Sequence, residues 1–77
     1  MKPENEPRMT HHELACARHA LGLYQREMVD ALAKIQRVNL RSYQKWEYGE
    51  REIPGWVEYA VMEMLREAGL GTPPKTH

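Results

Sequence analysis

Residues 39 to 48 combine long polar and cationic side chains with aromatic ones at helical spacing. Tyr43 and Trp46, three positions apart, would lie on a buried face. The other face would carry the polar side chains, namely Asn39, Arg41, Gln44 and Lys45. An arginine can bond guanine, and a glutamine can bond adenine, through two hydrogen bonds in the major groove of DNA. The spacing therefore predicts a helix whose outer face reads base edges.

Leu40 leads this predicted helix and has two interpretations. It could contact a thymine methyl group, or it could be a core residue beneath the preceding loop. The sequence favours neither, and we include Leu40 with the base-reading set. For Lys34 and Arg37, just upstream, an ordinary solvated face is favoured over phosphate contact.

A second group of residues is predicted to bind DNA phosphates. Gln25 and Arg26 would begin the preceding helix, where free N–H groups and the helix dipole favour anions. Tyr48 and Arg51 flank the exit of the base-reading helix, and Ser42 lies within it. Such contacts fix the orientation of a protein on the duplex without reading its sequence.

Metal binding is the main rival chemistry. His12, Cys16 and His19 are spaced to share one helical face, and zinc accepts these ligand types. A lone cysteine on one helix lacks the two-part spacing of a zinc module, so we expect an exposed polar face and no metal. No cofactor is indicated. No nucleophile elbow, phosphate-cradling glycine loop or paired carboxylates point to an enzyme.

Helices must position these residues. The sequence contains start and stop signals for four helices. Helix 1 begins with the capping box Thr10–Glu13 and ends at Gly22. Helix 2 runs from about Gln25 to Ile35, with Met28, Leu32 and Ile35 on its buried face. Helix 3 runs from the Asn39 cap to about Tyr48. Helix 4 runs from Pro54 to Ala68. No segment alternates like a strand, so the predicted fold is all-α with four to five helices. We divide the chain into a disordered arm (1–9), one domain (10–69) and a flexible tail (70–77).

Helix 4 has more apolar surface than one core face needs. Its inward stripe is predicted to be Val57, Ala60, Val61, Met64 and Ala68, and the surplus comprises Trp56, Tyr59, Met62 and Leu65, with Arg66 beside them. Scattered exposed apolar residues are common in monomers. A homodimer contact is favoured here, because a palindromic DNA site needs a two-fold symmetric reader.

Two stretches resemble a known family. Leu21-Gly22-Leu23-Tyr24-Gln25-Arg26-Glu27 is similar to the start of helix 2 in Cro and lambda-repressor-type (XRE) helix-turn-helix regulators, and Asn39-x-Arg41-Ser42-Tyr43-x-x-Trp46-Glu47-x-Gly49 resembles their recognition helix. With Ile53-Pro54, the second stretch looks most like the subgroup of anti-CRISPR-associated autorepressors. The resemblance covers about residues 10 to 57. It implies a lambda-repressor-like fold and a transcriptional regulator that binds a double-stranded DNA operator.

The resemblance also implies an ion pair. Arg18 occupies the position of a family arginine that pairs with the glutamate after the tryptophan, here Glu47. This chain departs from the family between helices 2 and 3, where it has about four more residues and lacks a glycine. Helix 2 is therefore either a turn longer than usual or followed by a true loop. Tyr24 replaces the usual capping residue, and Val29 replaces a small one.

Composition sets outer limits on these hypotheses. Seventy-seven residues with 42% hydrophobic side chains allow one small domain. No apolar run approaches the roughly 18 residues of a membrane span, and the N-terminus lacks a signal-peptide core. A single cysteine, Cys16, fits the reducing cytoplasm, where the protein would associate with the nucleoid when DNA-bound.

The net charge of the chain is zero, but the charges are unevenly distributed. Residues 24–46 hold five basic and two acidic groups, and residues 47–70 hold two basic and six acidic groups. This distribution suits one face turned to phosphate and is equally compatible with two solvated faces.

An antitoxin that also binds a protein toxin is the alternative function. Many antitoxins have the same DNA-binding fold, so a helix-turn-helix alone does not separate the two. An extension that wraps around a toxin would distinguish an antitoxin from a plain repressor. The flanks of this chain are only about eight residues each. The sequence therefore favours the plain repressor.

Overall fold

The computed structural model describes residues 9–70 and contains four α-helices in that range. They are α1 (His11–Ala20), α2 (Gln25–Ala33), α3 (Leu40–Glu47) and α4 (Gly55–Glu67). None of residues 9–70 forms a β-strand. The all-α prediction is confirmed for this part of the chain.

The helix ends follow the local signals in the sequence. The backbone N–H of Glu13 donates to Thr10 Oγ1 at 3.1 Å, and that of Thr10 donates to Glu13 Oε1 at 2.9 Å, which forms the predicted capping box. Asn39 Oδ1 accepts from the Ser42 N–H at 2.8 Å and begins α3. Gly22 ends α1 with a φ of 73°, a left-handed conformation that a side chain would disfavour.

The connection between α2 and α3 is a true loop. Helix α2 ends at Ala33, and α3 starts at Leu40. Ile35, predicted to lie on the buried face of helix 2, is 59% exposed, so that prediction is wrong. Because the helix stops before Ile35, no helical periodicity directs this side chain to the core.

The core lies where the four helices meet, and α3 packs against both α1 and α2 while α4 packs against α1. Its buried hydrophobic members are Met9, Leu14, Ala17, Met28, Val29, Leu32, Tyr43, Trp46, Val57, Ala60, Val61 and Leu65. The Tyr43 and Trp46 rings meet edge to face with centroids 6.0 Å apart. The buried face predicted for helix 3 is therefore confirmed.

One residue beyond each predicted domain boundary contacts the domain. Met9, assigned to the arm, is only 8% exposed and joins the core. Leu70, assigned to the tail, donates its N–H to the Leu65 carbonyl at 2.8 Å and closes the end of α4. Residues 1–8 and 71–77, the rest of the predicted arm and tail, lie outside the described residues.

The predicted outer face of helix 4 needs one correction. Leu65 is 1% exposed and belongs to the core, so it is not available to a partner. Tyr59 is 69% exposed, Arg66 is exposed, and Trp56 and Met62 are half-buried. On the predicted inward stripe, Met64 is half-buried and Ala68 is exposed, while Val57, Ala60 and Val61 are buried. The helix starts at Gly55 with Pro54 as its N-cap, one residue later than predicted.

Across residues 9–70, no helix has both the length and the apolar character needed to cross a bilayer.

Candidate functional site

An ion pair joins α1 to α3. The Arg18 Nε donates to Glu47 Oε2 at 2.6 Å, and Nη2 donates to Oε1 at 3.3 Å. The side chains are 13% and 4% exposed, so the pair is largely shielded from water. The pairing implied by the family resemblance is present, with the two-pronged geometry that fixes orientation best.

The end of α1 holds the guanidinium in place. After Gly22 reverses the chain, the Leu23 N–H donates back to the Arg18 carbonyl at 3.1 Å. The Leu23 carbonyl in turn accepts from Arg18 Nη1 at 2.9 Å. The arginine is thus bound to its own helix terminus as well as to Glu47, and this double attachment reduces its rotational freedom.

Glu47 is the centre of the site. Besides the arginine, Tyr43 Oη donates to Glu47 Oε2 at 2.5 Å and Gln25 Nε2 donates to Oε1 at 3.0 Å. The two carboxylate oxygens therefore accept four hydrogen bonds from three side chains. This number fills the roughly four acceptor positions of an ionised carboxylate. Because these donors come from α1, α2 and α3, one carboxylate connects three helices.

This arrangement perturbs three ionisable groups. Burial raises the pKa of Glu47, but the hydrogen bonds from Arg18, Tyr43 and Gln25 outweigh it, so that the pKa lies below its ordinary value. Burial and the bond to Glu47 raise the pKa of the Tyr43 phenol. The bond to Glu47 also raises the pKa of Arg18. Near neutral pH the centre is therefore a carboxylate, a guanidinium and a neutral phenol.

Gln44 extends the network to the outer side of α3. Its Nε2 donates to Gln25 Oε1 at 3.1 Å, and both side chains are half-buried. Gln25, predicted to bind phosphate, thus uses both ends of its amide within the protein. That Gln25 binds phosphate stays a prediction. The contact would use the second hydrogen of Gln25 Nε2, since the first is donated to Glu47. The Gln44–Gln25 contact also places the start of α2 beside the outer face of α3.

The remaining residues of the predicted base-reading set differ in exposure. Asn39 and Arg41 are exposed, and Lys45 is half-buried. Leu40 is half-buried and packs against the core, as the second of its two interpretations expected. The side-chain oxygen of Asn39 caps α3, and its amide nitrogen is the donor end of the same side chain.

The predicted phosphate-binding residues lie mostly at the surface. Arg26, Tyr48 and Arg51 are exposed, and Ser42 is half-buried with its backbone N–H bonded to Asn39. At the start of α2, Glu27 Oε1 accepts from the Tyr24 N–H at 2.8 Å. This carboxylate satisfies the backbone N–H of the N-cap residue, and its negative charge opposes an anion at that helix end.

His12, Cys16 and His19 are all exposed on α1. Among residues 9–70, no group of three or more histidine, cysteine, aspartate or glutamate side chains is arranged to hold a metal ion. The metal hypothesis therefore gains no support from the geometry.

Sequence reasoning found the ion pair and missed two of its neighbours. The sequence predicts Tyr43 as a core residue and Gln25 as a phosphate contact, and it gives no indication that either side chain bonds Glu47. Tyr43 and Glu47 are four positions apart on one helix, which is a spacing that brings side chains together. That signal could have revealed the tyrosine, whereas the glutamine contact depends on how α2 packs on α3.

Comparisons with known proteins find no family model that matches the chain, and no significant similarity to a curated protein or a solved structure. The functional interpretation therefore rests on the residues themselves and on the geometry around Glu47.

Proposed function

We propose that this chain is a transcriptional regulator that binds double-stranded DNA sequence-specifically, as a lambda-repressor-like helix-turn-helix protein with α3 in the major groove. One observation carries the proposal. Helix α3 is attached to α1 and α2 through Tyr43, Trp46 and Glu47, while its Arg41 side chain is exposed. A recognition helix needs this combination of a rigid seat and exposed donors.

The position of α2 supports the same docking mode. The Gln44–Gln25 contact places the first residue of α2 beside the outer face of α3. A duplex against α3 would therefore run past the start of α2, where Arg26 is exposed. This is the geometry in which the first helix of a helix-turn-helix contacts the DNA backbone while the second reads bases. The Arg26 charge also offsets the nearby carboxylate of Glu27.

A homodimer built through α4 completes the proposal. One copy of α3 reads only a few base pairs, too few for useful specificity in a genome of competing sites. A two-fold axis doubles the site into an inverted repeat with half-sites roughly 34 Å apart. Tyr59 is the most exposed aromatic residue of α4, and Trp56 and Met62 are half-buried on the same helix. These three residues form the proposed contact, with the exposed Arg66 beside them. Autorepression at an operator is the proposed role.

Selection of bound duplexes from a random pool tests the proposal. The wild type should enrich an inverted repeat. The double variant Arg41→Ala, Lys45→Ala should lose that enrichment, because it removes two cations from the outer side of α3. The double variant Lys34→Ala, Arg37→Ala is the matched control, since it removes the same charge from the preceding loop.

The control should still enrich the wild-type site. Failure of the wild type to enrich any duplex would refute the proposed function. If both double variants lose binding equally, the protein binds DNA by overall charge, and α3 is not the reading element.

A further inference from the structure

A cavity of about 280 Å³ lies between the start of α1 and the segment that joins α3 to α4. Its apolar lining comes from Met9, Trp46 and Ile53. Met9 and Trp46 are only 8% and 7% exposed and belong to the hydrophobic core, so the cavity reaches the edge of that core. None of the side chains that bond Glu47 lines it. The cavity is therefore separate from the site described above.

One wall of the cavity is held by the close approach of two residues. Gly49 has a φ of 80°, and a Cβ added to it would lie 3.2 Å from His11 Nδ1. A side chain at position 49 would therefore be strained in its backbone and would displace the imidazole. Because packing fixes this wall, the cavity exists before any ligand arrives, as is usual for small-molecule sites.

Two opposite charges from consecutive residues stand at the open side of the cavity. Arg51 and Glu52 both line it, and both side chains are exposed. They do not form an ion pair with each other, and neither pairs with another side chain of residues 9–70. A ligand in the cavity therefore meets one guanidinium, one carboxylate and an apolar surface.

We infer that this cavity binds a free α-amino acid with an apolar side chain. Arg51 would bond the carboxylate of the ligand, and Glu52 would bond its ammonium group. The ligand side chain would lie against the apolar lining and leave water. A ligand with a carboxylate alone would be repelled by Glu52, and one with an amine alone by Arg51, so a zwitterion matches the pair best. The volume favours a ligand of this size, because sites for drug-sized molecules span roughly 300 to 1,000 Å³.

The bound amino acid should weaken DNA binding, a consequence that rests on the proposed function. Arg51 is a predicted phosphate contact at the exit of α3. A guanidinium that bonds the ligand carboxylate has fewer donors left for the duplex, and that carboxylate also repels phosphate. Since coupling between two binding sites is reciprocal, the operator should weaken amino-acid binding by the same factor. The amino acid would then act as an inducer that releases the repressor.

Titration of the full chain with L-leucine, followed by NMR in the absence of DNA, tests the site. The chain has two tryptophans, and only Trp46 lines the cavity, so the Trp56 indole N–H signal is an internal control. The Trp46 signal should shift and saturate, while the Trp56 signal should change little. Three analogues each lack one recognised part of leucine, namely 4-methylpentanoic acid, 3-methylbutylamine and glycine. Each should bind at least about fivefold more weakly than leucine.

Glu52→Gln tests the recognition of the ammonium group. It should weaken leucine binding by about fivefold, and it should bind 4-methylpentanoic acid at least as tightly as the wild type does. Glu50→Gln is the matched control, because Glu50 is an exposed carboxylate two positions earlier that does not line the cavity. It should bind leucine like the wild type. A Trp46 signal that does not respond to leucine would overturn the inference, and so would equal binding of leucine and all three analogues.

Operator affinity measured with and without L-leucine tests the coupling. Saturating leucine should weaken binding of the selected operator by about fivefold or more, and Glu52→Gln should need about fivefold more leucine for the same effect. Unchanged operator affinity at saturating leucine would overturn the role of the amino acid as an inducer. If leucine shifts Trp46 but the chain selects no operator, the amino-acid site stands and the proposed function fails. If an operator is selected but Trp46 does not respond to leucine, the inference is wrong and the proposed function stands.

Discussion

Arg18 Nε lies 2.6 Å from Glu47 Oε2 and connects the end of α1 to the end of α3. The same carboxylate accepts from Tyr43 within α3 and from Gln25 at the start of α2. Three of the four helices thus meet at one side chain that is 4% exposed. Under the proposed function, this connection holds α3 at a fixed angle to the elements that contact the DNA backbone.

Breaking the ion pair from one side should be costly. Arg18→Met leaves the Glu47 charge buried with fewer donors, and we expect it to lower the free energy of unfolding by about 3 kcal/mol. Urea denaturation followed by circular dichroism measures this loss. Adding Glu47→Gln should restore part of it, because the unpaired charge is then removed.

The matched control for that experiment is Arg37→Met, at an exposed arginine in the loop between α2 and α3. It should change the unfolding free energy by less than about 0.5 kcal/mol, because surface substitutions away from the core have small effects. Strictly additive effects of Arg18→Met and Glu47→Gln would show that the two side chains are not energetically coupled.

Stability should depend on pH through Glu47. Its pKa is lowered in the folded protein from an ordinary value of 4.5, so its contribution is present above 4.5 and is lost as the pH falls through the lower folded value. The stability difference between wild type and Glu47→Gln should therefore shrink in acid. Urea midpoints compared at neutral and acidic pH measure it.

Glu50→Gln, at an exposed carboxylate close by in the chain, controls for the general loss of a negative charge. A wild-type advantage over Glu47→Gln that stays constant from neutral pH into strong acid would contradict the paired, ionised state of Glu47.

The proposed dimer predicts a local sensitivity on α4. Tyr59 is 69% exposed, so Tyr59→Glu should leave the helical circular-dichroism spectrum unchanged while placing a charge in the subunit contact. Light scattering should then report a monomer, and the variant should bind the full operator only as tightly as a half-site. Tyr24→Glu, at a tyrosine that is 77% exposed next to α2, is the control and should stay dimeric. A dimeric Tyr59→Glu would place the subunit interface on another surface.

Affinity for DNA should fall steeply with salt despite the zero net charge. Each subunit would bring four cations close to DNA, namely Arg26, Arg41, Lys45 and Arg51, so a dimer would displace on the order of six to eight counterions. The logarithm of the association constant should then fall with the logarithm of salt concentration with a slope of about −5 to −7. Arg26→Gln should make the slope shallower by about 2, because each subunit loses one contact. A wild-type slope shallower than about −2 would contradict the docking mode.

Most of the fold followed from local signals. The Thr10–Glu13 capping box, the Asn39 cap and Gly22 predicted helix ends that the structure contains, because each signal acts on neighbouring backbone groups. One error lies within the local pattern itself. Leu65, predicted on the outer face of α4, is buried, and it follows Val61 by four positions and Val57 by eight, which is the spacing of a single buried stripe.

The site was predicted less completely than the fold. The Arg18–Glu47 pair came from the family resemblance, and its geometry is present. The Gln25 contacts could not be read from the sequence, because they depend on the distance between α2 and α3 rather than on spacing within a helix. The length of the intervening loop, which departs from the family pattern, gives no measure of that distance.

Mapping of backbone amide NMR shifts on addition of the selected operator duplex tests the central claim most directly. With α3 in the major groove, the largest shift changes should occur at residues 39–45 and at the start of α2 around Gln25 and Arg26. The exposed face of α1 around His12 and Cys16 should change little. Largest changes on α1 or α4, with residues 39–45 unaffected, would contradict the claim that α3 reads DNA.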